Sequence, residues 1–179
     1  TIVTVAGTGY AANDTLTIVF GTNAGIQTTA ASQYGSFSTI FTVDVQAYGT
    51  TTITSSGVSV ATNVFFIQPE VVSVVPTSGT VGTIVTVAGT GYAANDALTV
   101  AFGTNAGIQT AAASQYGSFS TTFTVDTQVF GTTTITVSGV SVATNMFVIL
   151  PELYSVLPPA GTVGTIVTIS GTGYAANDD

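Results

Sequence analysis

The 179-residue sequence contains no lysine, arginine, histidine or cysteine, and each absence excludes a kind of function. Without basic side chains nothing neutralises phosphate, so we expect no nucleic-acid binding and no polybasic attraction to membranes. Without histidine and cysteine the usual zinc, haem and iron–sulfur sites cannot form, and we predict no cofactor. Ser–His and Cys–His nucleophiles and lysine Schiff bases are excluded as well. Paired carboxylates remain for hydrolysis, but the internal repeat argues against them, so we predict that the protein is not an enzyme.

Charge is scarce and of one sign. Only 4% of the residues are charged, and the formal net charge is −8 at pH 7. No salt bridge can form between side chains, so we expect stability to come from apolar packing and backbone hydrogen bonds. The acidic residues are Asp14, Asp44, Glu70, Asp96, Asp126, Glu152, Asp178 and Asp179.

Long apolar runs are also missing, although the mean hydropathy is +0.59. The longest runs have about five or six residues, as around Val64–Ile67, far from the roughly 20 that a spanning helix needs. We therefore expect no membrane insertion of this segment. The 36 threonines supply a neutral polar surface together with high β-propensity.

The sequence repeats itself with a period of 82 residues. The segment 1–14 recurs unchanged at 83–96 and returns at 165–178 with two substitutions. Residues 1–82 and 83–164 differ at 17 positions and align without a gap. Such self-similarity is typical of arrays of one structural unit.

Eight of the 17 differences fall between positions 64 and 78, a stretch that is apolar on both faces. We interpret this stretch as the junction between neighbouring domains, and we expect it to be packed and buried. The predicted domains are 1–68, an Ig-like repeat without its first strand; 69–150, a complete repeat; and 151–179, the first two strands of a following repeat or a donated segment. The predicted junction residues are Val64, Phe66, Val71, Val72, Met146, Val148, Leu150, Leu153, Tyr154 and Leu157.

Within each period apolar residues alternate with threonine or serine, which is the period of a half-buried strand. Turn signals rich in glycine and asparagine separate the runs. The fold class predicted is all-β, with tandem immunoglobulin-like sandwiches of about seven strands per repeat. In the second repeat the strands are expected near 71–75, 83–88, 97–103, 108–112, 117–125, 131–138 and 140–150.

The second repeat carries a proline, spaced glycines, a Val-x-Val strand, a Gly-x-Gly-aromatic turn and a Phe-Gly strand end: Pro76, Gly79, Gly82, Val85, Val87, Gly89, Gly91, Tyr92, Phe102 and Gly103. This pattern resembles the signature of IPT/TIG immunoglobulin-like domains, and the segments 116–125 and 131–137 resemble tandem Ig-like modules of prokaryotic surface proteins. The resemblance implies a structural or adhesive module outside the cell; the DNA-binding members use basic loops that this chain lacks.

The two ends of the sequence are complementary. Thr1 already lies in what would be the second strand of a module. Near the other end, residues 151–157 form a first strand, and the residues after them repeat the second strand that begins at Thr1. Either the segment is a window from a continuous array, or copies complete one another head to tail by strand addition. The duplication of the first 15 residues at the end favours the window somewhat. Both interpretations predict that 151–179 packs against, or continues into, an identical copy in a linear assembly.

Few residues suggest a binding site. Asp14, Asp96 and Asp178 follow an asparagine and are weak candidates for calcium, which needs six to eight oxygen ligands; an Asx turn is the favoured interpretation. Asn13 begins a glycosylation sequon. A sugar-binding platform could be formed by Tyr10, Tyr92 and Tyr174 together with the pair Tyr34 and Tyr116. In the family that the repeat resembles, the aromatic residue after Gly-x-Gly caps the core, and we favour that role.

We predict a structural protein of a prokaryote: a subunit or segment of an extracellular filament or surface fibre of head-to-tail Ig-like modules. The first alternative is the stalk of a cell-surface adhesin or S-layer protein whose ligand-binding domain lies elsewhere. The second is a set of accessory repeats of a secreted polysaccharide-degrading enzyme.

Overall fold

A computed structural model describes residues 1–177 and divides the chain into two compact units, Thr1–Gln68 (unit 1) and Pro69–Asp179 (unit 2). The regular elements of the described residues are all β-strands. Each unit packs two sheets face to face around an apolar core. The predicted all-β sandwich fold is therefore confirmed.

Unit 1 contains six strands in two sheets. The sheet orders are β1-β4 and β3-β2-β5-β6, with all neighbours antiparallel. Because side chains alternate across a strand, Leu16, Ile18 and Phe20 of β2 face inward, whereas Thr15 and Thr17 face outward. The strands are β1 (Ile2–Gly7), β2 (Thr15–Phe20), β3 (Asn23–Ala30), β4 (Phe37–Thr42), β5 (Gly49–Ser56) and β6 (Val60–Ile67).

The described part of unit 2, residues 69–177, contains ten strands, eight of which form its sandwich. They are β7 (Glu70–Val75), β8 (Ser78–Gly79), β9 (Ile84–Thr90), β10 (Ala97–Phe102), β11 (Asn105–Ala112), β12 (Phe119–Thr124), β13 (Gly131–Ser138) and β14 (Val142–Ile149). One sheet has the order β12-β9-β7 and the other β11-β10-β13-β14-β8. The remaining two strands, β15 (Glu152–Leu157) and β16 (Thr168–Thr172), form a separate antiparallel hairpin.

The seven strands predicted for the second repeat all occur, with ends shifted by a few residues. The strand expected at 108–112 begins earlier, at Asn105, because its first half lies opposite Phe102 across a tight turn. The two-residue strand β8 was not predicted. It pairs parallel to β14 through Ser78 and Gly79, which carry no apolar alternation that a sequence pattern could reveal.

The asparagines of the Ala-Asn-Asp turns adopt left-handed backbone conformations. Asn13 and Asn95 each have φ of 58°. Asparagine tolerates this region better than other side chains do, because its short polar group bonds locally. This turn places the following aspartate at the start of the next strand.

Candidate assembly site

In unit 2 the edge of β9 that does not pair with β12 is hydrogen-bonded to β7. The two strands are antiparallel, with Val74 opposite Val87 and Val71 opposite Gly89. Val71 and Val74 point into the sandwich and are only 5% and 6% exposed. From the opposite sheet, the Asn145 amide Nδ2 donates a hydrogen bond of 3.0 Å to the carbonyl oxygen of Val71. The strand therefore closes the open side of the sandwich.

The residues after β7 cross to the other sheet and cover its edge. The Leu150 amide donates to the Gly79 carbonyl at 2.8 Å, and the Val148 amide donates to the Thr77 carbonyl at 3.0 Å. The Gly82 amide then returns to the first sheet and donates to the Val125 carbonyl at 2.8 Å. The continuous segment 70–82 thus completes both sheets.

In unit 1 the corresponding space is a groove between β1 and β6. Its volume is about 380 Å³. In the described structure β1 is hydrogen-bonded only to β4, so its other edge presents unpaired backbone groups, which favour pairing with a further strand. The apolar side chains that line the groove are Val3, Val5, Tyr10, Phe37, Ile53 and Phe65. We call this surface the β1–β6 groove.

Identical side chains are less buried around this groove than in unit 2. Val85, Val87, Tyr92 and Phe147 of unit 2 are 0% exposed. Their counterparts in unit 1, one period earlier, are only partly buried: Val3, Val5, Tyr10 and Phe65. Since the residue types are the same, the difference in burial arises from the segment that covers unit 2.

Strand β15 is the equivalent of β7 one period later, with an apolar residue at each position where β7 has one, but it lies in a different setting. It pairs with β16 in the register that β7 adopts with β9, with a bulge at the same place. The side chains that would point into a sandwich remain exposed, Leu153 by 58% and Val156 by 47%. Val163, further along the same segment, is fully exposed. The hairpin therefore carries a core-forming strand without a core beneath it.

The predicted junction residues are for the most part not buried, contrary to the expectation from sequence. Val71 is the exception, and it is buried inside its own sandwich. The physical reason is strand alternation: along β6 and β14 one face packs inward and the other faces solvent. The exposed ones are Val64, Phe66, Val72, Met146, Val148, Leu150, Leu153, Tyr154 and Leu157. Their role at a junction stays a prediction.

Two of the weak calcium candidates, Asp14 and Asp96, accept hydrogen bonds from backbone amides. Asp14 Oδ2 accepts a hydrogen bond of 2.7 Å from the Val58 amide, and Asp96 Oδ2 accepts the same bond from Val140. Gly57 permits this approach, because a Cβ there would lie 2.2 Å from Asp14 Oδ2. These long-range bonds differ from the local Asx turn that was favoured. Asp178 lies outside the described residues.

Within residues 1–177 no group of three or more acidic side chains gathers into a possible metal site. In the same range no helix is long and apolar enough to cross a membrane. Asn13, the candidate glycosylation site, is exposed in its turn. Tyr34 and Tyr116 are 85% and 46% exposed.

Tyr10 and Tyr92 occupy equivalent positions but differ in hydrogen bonding. The Tyr10 hydroxyl bonds the Ser55 hydroxyl. In unit 2 the position of Ser55 is taken by Val137, and the buried Tyr92 hydroxyl has no hydrogen-bond partner. Burial raises the pKa of Tyr92 to about 12.

We expect Tyr92→Phe to leave unit 2 as stable or to stabilise it by about 1 kcal/mol at neutral pH, because it removes an unpaired buried hydroxyl. The raised pKa makes unit 2 lose stability as pH rises from about 10 through about 12, since the unfolded tyrosine ionises first. The variant should lack this loss. Urea unfolding at pH 7, 10 and 11.5 measures both effects; Tyr10→Phe, which removes a bonded hydroxyl, should instead destabilise unit 1.

The sequence did not predict a polar cluster that centres on the buried Gln128. Gln128 is 8% exposed, and its Nε2 donates to the Phe102 carbonyl at 3.3 Å and to Asp126 Oδ1 at 2.9 Å. Its Oε1 accepts from the amide and the hydroxyl of Thr104. Asn105 Nδ2 donates to Asp126 Oδ2 at 2.8 Å. The same cluster recurs in unit 1 around Gln46.

No protein-family profile matches the chain, and no curated protein matches it. Solved structures similar to it include a domain named "Biofilm associated protein - BSP domain", with 18% identity, 82% of this chain and 27% of that chain covered, and a TM-score of 0.28. Another is the central fibronectin-III array of RIM-binding protein, with 14% identity, 94% and 73% covered, and a TM-score of 0.36. The chain spans about a quarter of the length of the first. The finer resemblance to IPT/TIG domains stays a prediction.

Proposed function

We propose that this chain is a structural subunit or segment of an extracellular filament or surface fibre in which identical Ig-like modules follow one another head to tail. The observation that carries the proposal is the pairing of features within one chain. Unit 1 has the β1–β6 groove, and unit 2 carries outside its sandwich the exposed strand β15, which is the equivalent one period later of the strand that fills the corresponding space in unit 2.

The position of the two features favours a linear assembly over a closed pair. The groove and the exposed strand belong to different units of the chain, so a contact between them joins unlike surfaces. Unlike surfaces produce rings when the rotation closes and filaments when it does not. A near-exact 82-residue period repeats the same geometry at each step.

The surface chemistry supports a role exposed to the surroundings. The 36 threonines supply neutral polar groups, and no lysine or arginine offers a cleavage site to trypsin-like proteases. The proposal assigns the protein no enzymatic activity, in keeping with its lack of histidine, cysteine and basic side chains. It also assigns the protein to the cell exterior or surface.

The stalk of a cell-surface adhesin or S-layer protein is the second candidate. The repeat favours it, since residues 165–177 continue the pattern of 83–95 in phase and a longer array of the same period would form a covalent stalk. In such a stalk the contact between modules is made within one chain.

Electron microscopy of the purified 179-residue chain tests the filament. We expect unbranched filaments with an axial repeat of two modules, appearing above a critical concentration in light scattering. A chain that stays monomeric in analytical ultracentrifugation at several hundred micromolar would contradict self-assembly and leave the covalent stalk as the better proposal.

A further inference from the structure

We propose that residues 152–164 of one copy complete unit 1 of a second copy, with β15 added to the edge of β1 inside the β1–β6 groove. This inference rests on the proposed head-to-tail filament and names the contact that builds it. Adding a strand to an exposed sheet edge is a general mode of recognition, in which backbone bonds give affinity and side-chain pockets give specificity.

The register follows from unit 2. Strand β7 lies on β9 with Val74 opposite Val87 and a bulge one residue after Val71. One period along, the same pairing sets Val156 of one copy opposite Val5 of the next. Strand β15 already adopts this register and bulge with β16. No change in the conformation of β15 is therefore required.

The inward side chains match the groove. Leu153 and Val156 take the positions of Val71 and Val74, which are buried in unit 2. The amide of Asn63, equivalent to Asn145, is exposed beside the groove and can donate to the Leu153 carbonyl of the incoming strand. The contact thus reproduces one that the chain already makes within unit 2.

The rest of the segment reaches the edge of β6. In unit 2 the backbone of β8 binds β14 through the carbonyls of Thr77 and Gly79. Pro159 and Gly161 stand one period later, and their carbonyls can accept from β6 in the same way, because a proline carbonyl is still an acceptor. The single charge of the segment 152–164 is Glu152 at its start, so the acidic net charge places no repulsion inside the groove.

Strand β16 is the competitor for the same contact. It occupies the edge of β15 that would pair with β1, opposite the same residues. Exchange replaces one antiparallel ladder by a nearly identical one, so the backbone bonds cancel. Burial of Leu153, Val156 and the lining of the groove then drives the exchange, since apolar burial is the term that differs.

Charged substitutions on the two faces of β15 test the orientation. Val156→Asp should abolish filaments, whereas Ser155→Asp should leave them, because Val74, the equivalent of Val156, is buried in unit 2, while Ser73, the equivalent of Ser155, is half-exposed opposite Ala88. Neither side chain is buried in the single chain, so circular dichroism should be unchanged in both variants. Equal effects of the two substitutions would overturn the proposed orientation.

Disulfide trapping tests the pairing itself, in a chain that has no cysteine of its own. Val5→Cys with Val156→Cys should give covalent ladders of copies under oxidation, since paired strands bring Cα atoms within disulfide range. The mismatched control Ile40→Cys with Val156→Cys should not. Mass spectrometry of mixed ¹⁴N- and ¹⁵N-labelled chains should find the disulfide between copies. A disulfide within one chain would overturn the second copy as occupant.

Locking the hairpin provides the converse. Val156→Cys with Ile169→Cys joins β15 to β16 within a chain, and the locked form should lose filaments that return on reduction. Two results would overturn this strand exchange and leave the filament in place. One is oxidised filaments of the Val5→Cys, Val156→Cys variant in which copies are not joined by disulfides. The other is filaments of the variant whose hairpin is locked by a disulfide. Absence of filaments and of cross-linked copies in every variant would overturn both.

Discussion

Joining residues 69–82 directly before Thr1 should stabilise unit 1 and abolish self-assembly. The added segment supplies unit 1 with the strand that unit 2 already has, and Gly82 is followed in the sequence by the same residues that begin the chain. Burying the two valines contributes about 1.5–3 kcal/mol each, and the half-buried side chains of the groove become covered as well, which together with the backbone hydrogen bonds of the added strand offsets the cost of ordering it. Calorimetry of the full chain should show the lower of two transitions moving up.

The matched control carries Val71→Asp and Val74→Asp in the added copy alone. It has the same length and connection but cannot bury its side chains, so it should neither stabilise unit 1 nor block assembly. If the unmodified graft leaves the lower transition in place, the β1–β6 groove is not the space that a first strand fills, and the strand exchange proposed from it loses its basis.

The architecture could be predicted from the sequence because alternation and turn residues are local signals. Val85 and Val87 alternate with threonine, and the Asn95-Asp96 turn follows at a fixed distance. Because the two repeats align without a gap, the strand positions in one repeat predict those in the other. The short strand β8 escaped, because a two-residue parallel pair is decided by its neighbours and not by its own sequence.

The candidate site could be predicted only in outline. The open edge of β1, where unit 2 has β7, followed from the period, but the exposure of the junction residues did not. Phe66 and Val148 were expected to be covered because both faces of their strands are apolar; the structure buries one face and leaves these side chains exposed. Sequence alone does not show how far the apolar outer face of a strand is covered.

Polar residues that act inside the protein were the least predictable. Gln128 follows a strand in a segment of threonine and valine and has the pattern of a solvated turn. Its position is fixed by Gly103, which has φ of 54° and where a Cβ would lie 2.5 Å from Gln128 Oε1. The approach of Gly103 and Gln128 joins two segments 25 residues apart in the chain, so a local sequence pattern does not predict it.

Replacing this side chain should therefore destabilise unit 2 strongly. Gln128→Leu keeps the volume but leaves the Phe102 carbonyl, Asp126 Oδ1 and the Thr104 amide without their partner. The Phe102 carbonyl is buried and loses its partner at a cost of about 1–3 kcal/mol, whereas water can reach the exposed Thr104 and the half-buried Asp126, so a loss of about 1–3 kcal/mol is expected in the unit 2 transition under urea. Gln115→Leu, at an exposed position of the same unit, should change stability by less than about 0.5 kcal/mol. A similar small change at both positions would show that water replaces the bonds of Gln128 and that the cluster does not stabilise the sandwich.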